Sequence, residues 1–171
     1  MIFMISGDVG AGKTAFFRKV VGGLQSRGLQ VAGFASERAF KEGLLAGYDI
    51  VEIGSGTRTT WLRRGGAGEG IGPFTIFAAG LAAAAGIIGK TEPSGLLAVD
   101  ELGPLELAGR GFWTFLKPLL DDPGRSFLFV IRTACLPGFK ELFAGGDIRI
   151  FHLTDRPSPD EAASEVALHV G

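Results

Sequence analysis

Residues Gly7-Asp8-Val9-Gly10-Ala11-Gly12-Lys13-Thr14 constrain this chain more than any other stretch. They follow the apolar run 1–5 and precede residues 15–21, which read as the first turns of a helix. Strand, glycine loop, Lys-Thr and helix is the order of the P-loop, G-x-x-x-x-G-K-[ST]. Glycines let successive backbone N–H groups turn inward around a phosphate chain, where side chains would obstruct the turn. A helix beginning near Lys13 aims its positive dipole end and unpaired N–H groups at the same anion. The spacing therefore predicts that Gly7, Asp8, Val9, Gly10, Ala11, Gly12, Lys13, Thr14 and Ala15 cradle nucleotide phosphates. Lys13 reaches the β- and γ-phosphates, and the Thr14 hydroxyl is a ligand for Mg²⁺. Glycine usage is high, 28 of 171 residues, so the flanking strand and helix carry the assignment as much as the motif does.

A second feature completes such a site. Residues 95–99 are a continuous apolar run suited to a central parallel strand, and they end in Asp100-Glu101. Asp100 is expected to hold the Mg²⁺ shell, and Glu101 to polarise an attacking water at the γ-phosphate. Asp100-Glu101-Leu102-Gly103 also fits D-x-x-G, a switch element of GTPases, but no guanine-reading [NT]-K-x-D tetrapeptide occurs. Arg132 follows the apolar run 126–131 and is either an internal arginine finger or the partner of a carboxylate.

The rest of the chain alternates strands and helices. A helix is expected to about residue 27, stopped by Gly28. Residues 31–35 read as a buried strand ending in the polar cluster Ser36-Glu37-Arg38, and residues 47–53 as a half-solvated one. The two could pair as a hairpin through Lys41-Glu42-Gly43. Residues 54–72, rich in glycine, threonine and arginine, have loop composition and read as a lid or flap. A helix through 112–116 is expected to kink or end at Pro118. A short helix at 137–143, a strand at 147–153 and a helix at 158–169 follow. Alternation of this kind indicates an α/β fold, a mostly parallel central sheet with helices on both faces, with ligands at the strand C-termini.

Composition bounds the alternatives. A chain of 171 residues is expected to form a single domain, 1–171, with a sizeable core. Its net charge of −1 and lack of a basic block give no argument for nucleic acid or an anionic membrane as partner. One cysteine, Cys135, and two histidines leave no intrachain disulfide and make a zinc site unexpected. Residues 71–89 are uncharged over roughly the length of a membrane span. They are mostly Ala and Gly, however, which favour insertion less than Leu or Ile. A strand at 74–77 and a small-residue helix packed closely on a sheet are expected instead. The N-terminal apolar run is too short for a signal peptide, so a cytoplasmic location is expected.

GDVGAGKT, VAGFASE, GYDIVEI followed by SGTR, and AVDELGPLELAG together resemble one family. It is the small nucleoside-triphosphatase family first described from thermophiles, which includes a human cancer-related member. The resemblance spans nearly the whole chain. It implies a P-loop α/β fold and Mg²⁺-dependent hydrolysis of ATP, GTP and other nucleoside triphosphates to diphosphates with broad base tolerance. By position it places Gly33, Phe34 and Glu37 in the second motif, Arg58 as the SGTR arginine, and Glu106 as the last acid of the third. Phe40, Leu44 or Leu45, and Pro104 stand where relatives carry basic residues. Arg38, Lys41, Arg63 and Arg64 are candidates to replace those cations.

The expected function is a nucleoside-triphosphatase in which one of Arg58, Arg63, Arg64 or Arg132 neutralises transition-state charge. The alternatives are a nucleotide-binding switch or adaptor with little turnover, and a small-molecule kinase. No particular protein partner is implied.

Overall fold

The computed structural model describes residues 1–170. Alternation of side chains along the strands decides its layering. In β1 (Ile2–Gly7), Ile2 and Met4 enter one apolar cluster and Phe3 and Ile5 the other. β7 (Leu96–Leu102) sends Leu97 and Val99 to the first cluster, Leu96 and Ala98 to the second. β8 (Ser126–Arg132) repeats the pattern with Phe127 and Phe129 against Leu128 and Val130. Strands apolar on both faces need helices on both. α1 (Lys13–Ser26) and α6 (Pro159–Ala167) cover one face through Phe17, Val20, Leu24, Ala163 and Val166. α2 (Ala78–Gly89), α4 (Trp113–Leu120) and α5 (Leu136–Leu142) cover the other.

With β2 (Val31–Lys41) and β9 (Ile148–His152), these strands run parallel in the order β2-β7-β8-β1-β9. The sheet then changes character at its β2 edge. β3 (Leu44–Glu52), β4 (Arg58–Arg64), β6 (Phe74–Ile76) and β5 (Gly70–Ile71) add to it antiparallel, making nine strands in all. The β2–β3 hairpin turns at Glu42-Gly43 with φ of 52° and 78°, the left-handed pair that a two-residue turn requires.

Three expectations change. β2 does not stop at the polar cluster but continues to Lys41, because pairing with β3 satisfies its backbone. The expected loop 54–72 contains β4, a strand paired on both sides, with Trp61 as an extra residue against β3. Thr59, Thr60 and Trp61 suit a pleated surface, and the glycines that suggested a loop flank them. Pro118 sits inside α4, which ends two residues later at Leu120.

The uncharged stretch forms β6 and α2, and no helix among the described residues is long and apolar enough to cross a membrane. Its small residues serve close packing. A Cβ on Gly80 would lie 2.6 Å from the Cα of Trp61 and 2.7 Å from the carbonyl oxygen of Thr60. Replacing Gly80 by alanine should therefore push α2 off β4 and cost about 1–3 kcal/mol. Urea unfolding measures this; a Gly80→Ala midpoint equal to wild type would mean the helix moves freely.

Candidate active site

β1 delivers the chain to the glycine loop at its C-terminal end. Gly10 and Gly12 take φ of 83° and 85°, conformations that side chains rarely adopt. Gly12 is the N-cap of α1, whose first turn has no side-chain cap and no acidic residue. Its N–H groups are thus available to an anion. Lys13 is only 6% exposed. Its Nζ donates to the Asp8 carbonyl at 2.9 Å and lies 3.5 Å from Glu101 Oε2.

Two consecutive strand residues ordinarily point to opposite faces, yet both acids reach this cleft. The β7–β8 register explains it: Asp100 opposes Val130 and Leu102 opposes Ile131, leaving Glu101 as an extra residue. Such a bulge re-aims a side chain at a strand end. Leu102 accordingly joins the same apolar cluster as Leu97 and Val99, which strict alternation would forbid. Glu101 is held between Lys13 and Arg132, its Oε1 accepting from the Arg132 Nε.

Asp100 is 1% exposed, and its Oδ2 has no hydrogen-bond partner. Burial pushes its carboxyl up to about 7, opposed by the Thr14 hydroxyl and by Lys13. An orphaned buried carboxylate oxygen beside a hydroxyl is a fitting pair of hard oxygen donors for a divalent cation.

Glu106, in α3 (Pro104–Leu107), accepts from the backbone N–H of Gly103 at 2.9 Å and of Phe112 at 3.3 Å. It ties together the two loops that roof the site. The candidate arginines separate. Arg58 pairs with Glu37, which Arg18 also holds, and lies 3.9 Å from Asp49. Arg63 is taken by Asp49 and the carbonyls of Tyr48 and Leu62. Arg64 covers the Phe74 ring at 5.3 Å. Among the four, Arg132 alone contacts a catalytic candidate and lines the cleft. Arg58, expected as one of the arginines that neutralise transition-state charge, sits in the β-sheet extension, where Glu37 engages it.

All these groups open into a cleft of ≈ 740 Å³, within the range of small-molecule sites. The family model described as NTPase matches residues 2–166. The chain belongs to the NTPase family. Nucleoside-triphosphatase THEP1 of Hyperthermus butylicus is 33% identical over 131 residues, covering 75% of this chain and 69% of the relative. The cancer-related nucleoside-triphosphatase homolog of Mus musculus is 27% identical, covering 88% and 86%. The crystal structure of THEP1 from Aquifex aeolicus superposes with a TM-score of 0.77 at 20% identity, covering 99% of both chains. That likeness shows the fold: α/β, as the alternation of elements predicts.

In this NTPase, Arg38 is the one replacement candidate among Arg38, Lys41, Arg63 and Arg64 that lines the cleft. Sequence reasoning passed over Arg18 and Tyr48, which also line it. Arg18 lies one helical turn after Thr14, a spacing that puts both on one side of α1. Tyr48 could be found only from strand register.

Glu106 supplies a test. At 4% exposure, burial raises its carboxyl from 4.5 to about 7 despite its backbone donors. The folded state then holds a proton that the unfolded chain releases between these values. The stabilisation is full below pH 4.5 and lost as pH rises to 7, a change of about 3 kcal/mol from this group. Unfolding free energy measured at pH 5 and pH 8 should fall less in Glu106→Gln than in wild type. Equal falls would remove Glu106 as the titrating group.

Proposed function

We propose that this chain is a Mg²⁺-dependent hydrolase of ATP, GTP and other nucleoside triphosphates, acting as one cytoplasmic domain over residues 1–171. Family membership supplies triphosphate hydrolysis. The observation supporting the mechanism is the meeting of Lys13, Asp100 and Glu101 at one rim, with Asp100 Oδ2 buried and unpaired. Broad base tolerance is what the family resemblance implies, and the missing [NT]-K-x-D tetrapeptide speaks against guanine-specific switching of the GTPase kind.

The N–H groups from Gly7 to Ala15 and the Lys13 ammonium bind the phosphates. Thr14 and Asp100 would hold Mg²⁺, which when bound neutralises charge on the β- and γ-phosphate oxygens. Phosphate binding draws Lys13 from the Asp8 carbonyl and loosens its hold on Glu101. Glu101, still aligned by Arg132, then orients the attacking water and accepts its proton. The water oxygen bonds to the γ-phosphorus as the bridging P–O bond breaks, and the diphosphate leaves. Arg58 steadies Glu37 and Asp49 rather than the reacting phosphate.

Phosphate release from ATP, GTP, CTP and UTP, with nucleotide affinity measured in parallel, tests this reading. Glu101→Gln should lower kcat by about 10²-fold or more while leaving Mg·ADP affinity within a few-fold. Asp100→Asn should remove the dependence of nucleotide affinity on Mg²⁺. Tight binding without release by wild type would instead indicate a nucleotide switch.

A further inference from the structure

The cleft continues past Glu101 into a compartment that attack by water does not use. Ala35 of β2 pairs with Asp100, and β2 runs six residues further, to Lys41. That projection is about 20 Å at the usual rise per residue. β3 and β4 pair along it, so the antiparallel extension stands as a wall beside the catalytic rim. In register, Arg38 opposes Tyr48 and Tyr48 opposes Leu62, one row across the face that looks into the cleft. Phe112 and Trp61, packed on each other with rings 4.7 Å apart and nearly buried, form the floor of the space, and Ile71 of β5 lines it as well.

The strand order tells which side this is. β7 and β2 lie on one side of β1, and β9 with the turn after it on the other. Glu101 acts from β7, so attack on the γ-phosphate comes from the β7–β2 side, and the leaving diphosphate points away from it. A water needs roughly 30 Å³. An aromatic wall is unnecessary for delivering one.

Charge narrows the occupant. Of the cations lining the cleft, Lys13, Arg18 and Arg132 have carboxylate partners. Lys19 and Arg38 have none among the described residues, Lys19 lying on α1 beside the phosphate loop and Arg38 on the β2 projection. Arg38 faces the cleft with no ion pair or hydrogen bond among the described residues. We propose that the compartment binds a small molecule made of a flat apolar ring system and one anionic group, together with the nucleotide. The ring lies against Tyr48 and Ile71, over the exposed edges of Trp61 and Phe112, and the anion meets Arg38. Rings pack well on such aromatic surfaces, and a guanidinium binds carboxylate or sulfonate through charge-assisted hydrogen bonds. The occupant stands where the attacking water approaches, so it slows turnover without displacing nucleotide. Only that kinetic consequence rests on the hydrolase reading; binding does not.

The probe is 1-anilinonaphthalene-8-sulfonate, titrated by fluorescence into the full chain with and without saturating Mg·ADP. One saturable site per chain, retained with Mg·ADP bound, is expected. Arg38→Ala should weaken it about tenfold, and Ile71→Trp, which fills the compartment from a half-buried position, should abolish it. Circular dichroism checks that both variants fold. With ATP turning over, the probe should lower kcat and leave KM unchanged. Displacement by Mg·ADP, a rise in KM alone, no saturable binding, or equal affinity in wild type and both variants would each overturn the site. Arg38-dependent binding in a chain that releases no phosphate would uphold the site and remove the hydrolase reading.

Discussion

The molecule is organised around a carboxylate that water cannot reach. Asp100 lies two residues from the end of β7, the strand between β2 and β8, with apolar clusters on both faces, and one of its oxygens has no partner. Charge in such a place costs several kcal/mol unless something compensates it. Lys13 is close but engaged elsewhere, and the Thr14 hydroxyl offers only partial relief. The site is thus strained toward taking up positive charge together with the phosphates. Substitutions that neutralise Asp100 relieve the interior and remove the function, a usual conflict at active sites.

The bulge at Glu101 is what makes two neighbouring acids one site. Without the extra residue, Glu101 and Leu102 would exchange faces. Leu102 would leave its apolar cluster, and Glu101 would turn from Lys13 and Arg132. A packing requirement and a chemical one are met by the same irregularity. This is why the two adjacent acids differ so much in surroundings, one orphaned in the interior and the other gripped by two cations.

What was legible in the sequence follows from range. The glycine loop, Lys13, Thr14 and the acid pair depend on a few consecutive residues and their flanks, and double-sided strands show as apolar runs. The hairpin through Glu42-Gly43 is equally local. β4 was hidden because its pairing with β3 and β6 is decided at a distance, while its composition resembles a loop. The arginines were hidden for the same reason: Arg58 and Arg132 look alike as candidates until Glu37 and Glu101 claim them. The row Arg38–Tyr48–Leu62 exists only once two registers are set.

That row alternates along β2 and β3 with a second one, which also reaches the cleft through Glu37. Glu37 opposes Asp49, and Asp49 opposes Thr60, with Arg18, Arg58 and Arg63 binding the two carboxylates. The extension therefore carries a network of paired charges in one row and, among the described residues, a single unpaired arginine beside Tyr48 and Leu62 in the other. Surface ion pairs add little stability singly, but linked ones restrict where a sheet can move. Arg18 joins this network to α1, the helix that begins at Lys13. The wall of the compartment and the phosphate loop are thereby tethered through one arginine. A group bound against Tyr48 would be held in fixed relation to the γ-phosphate, so that it obstructs the approach of water at one defined place rather than by loosening the nucleotide.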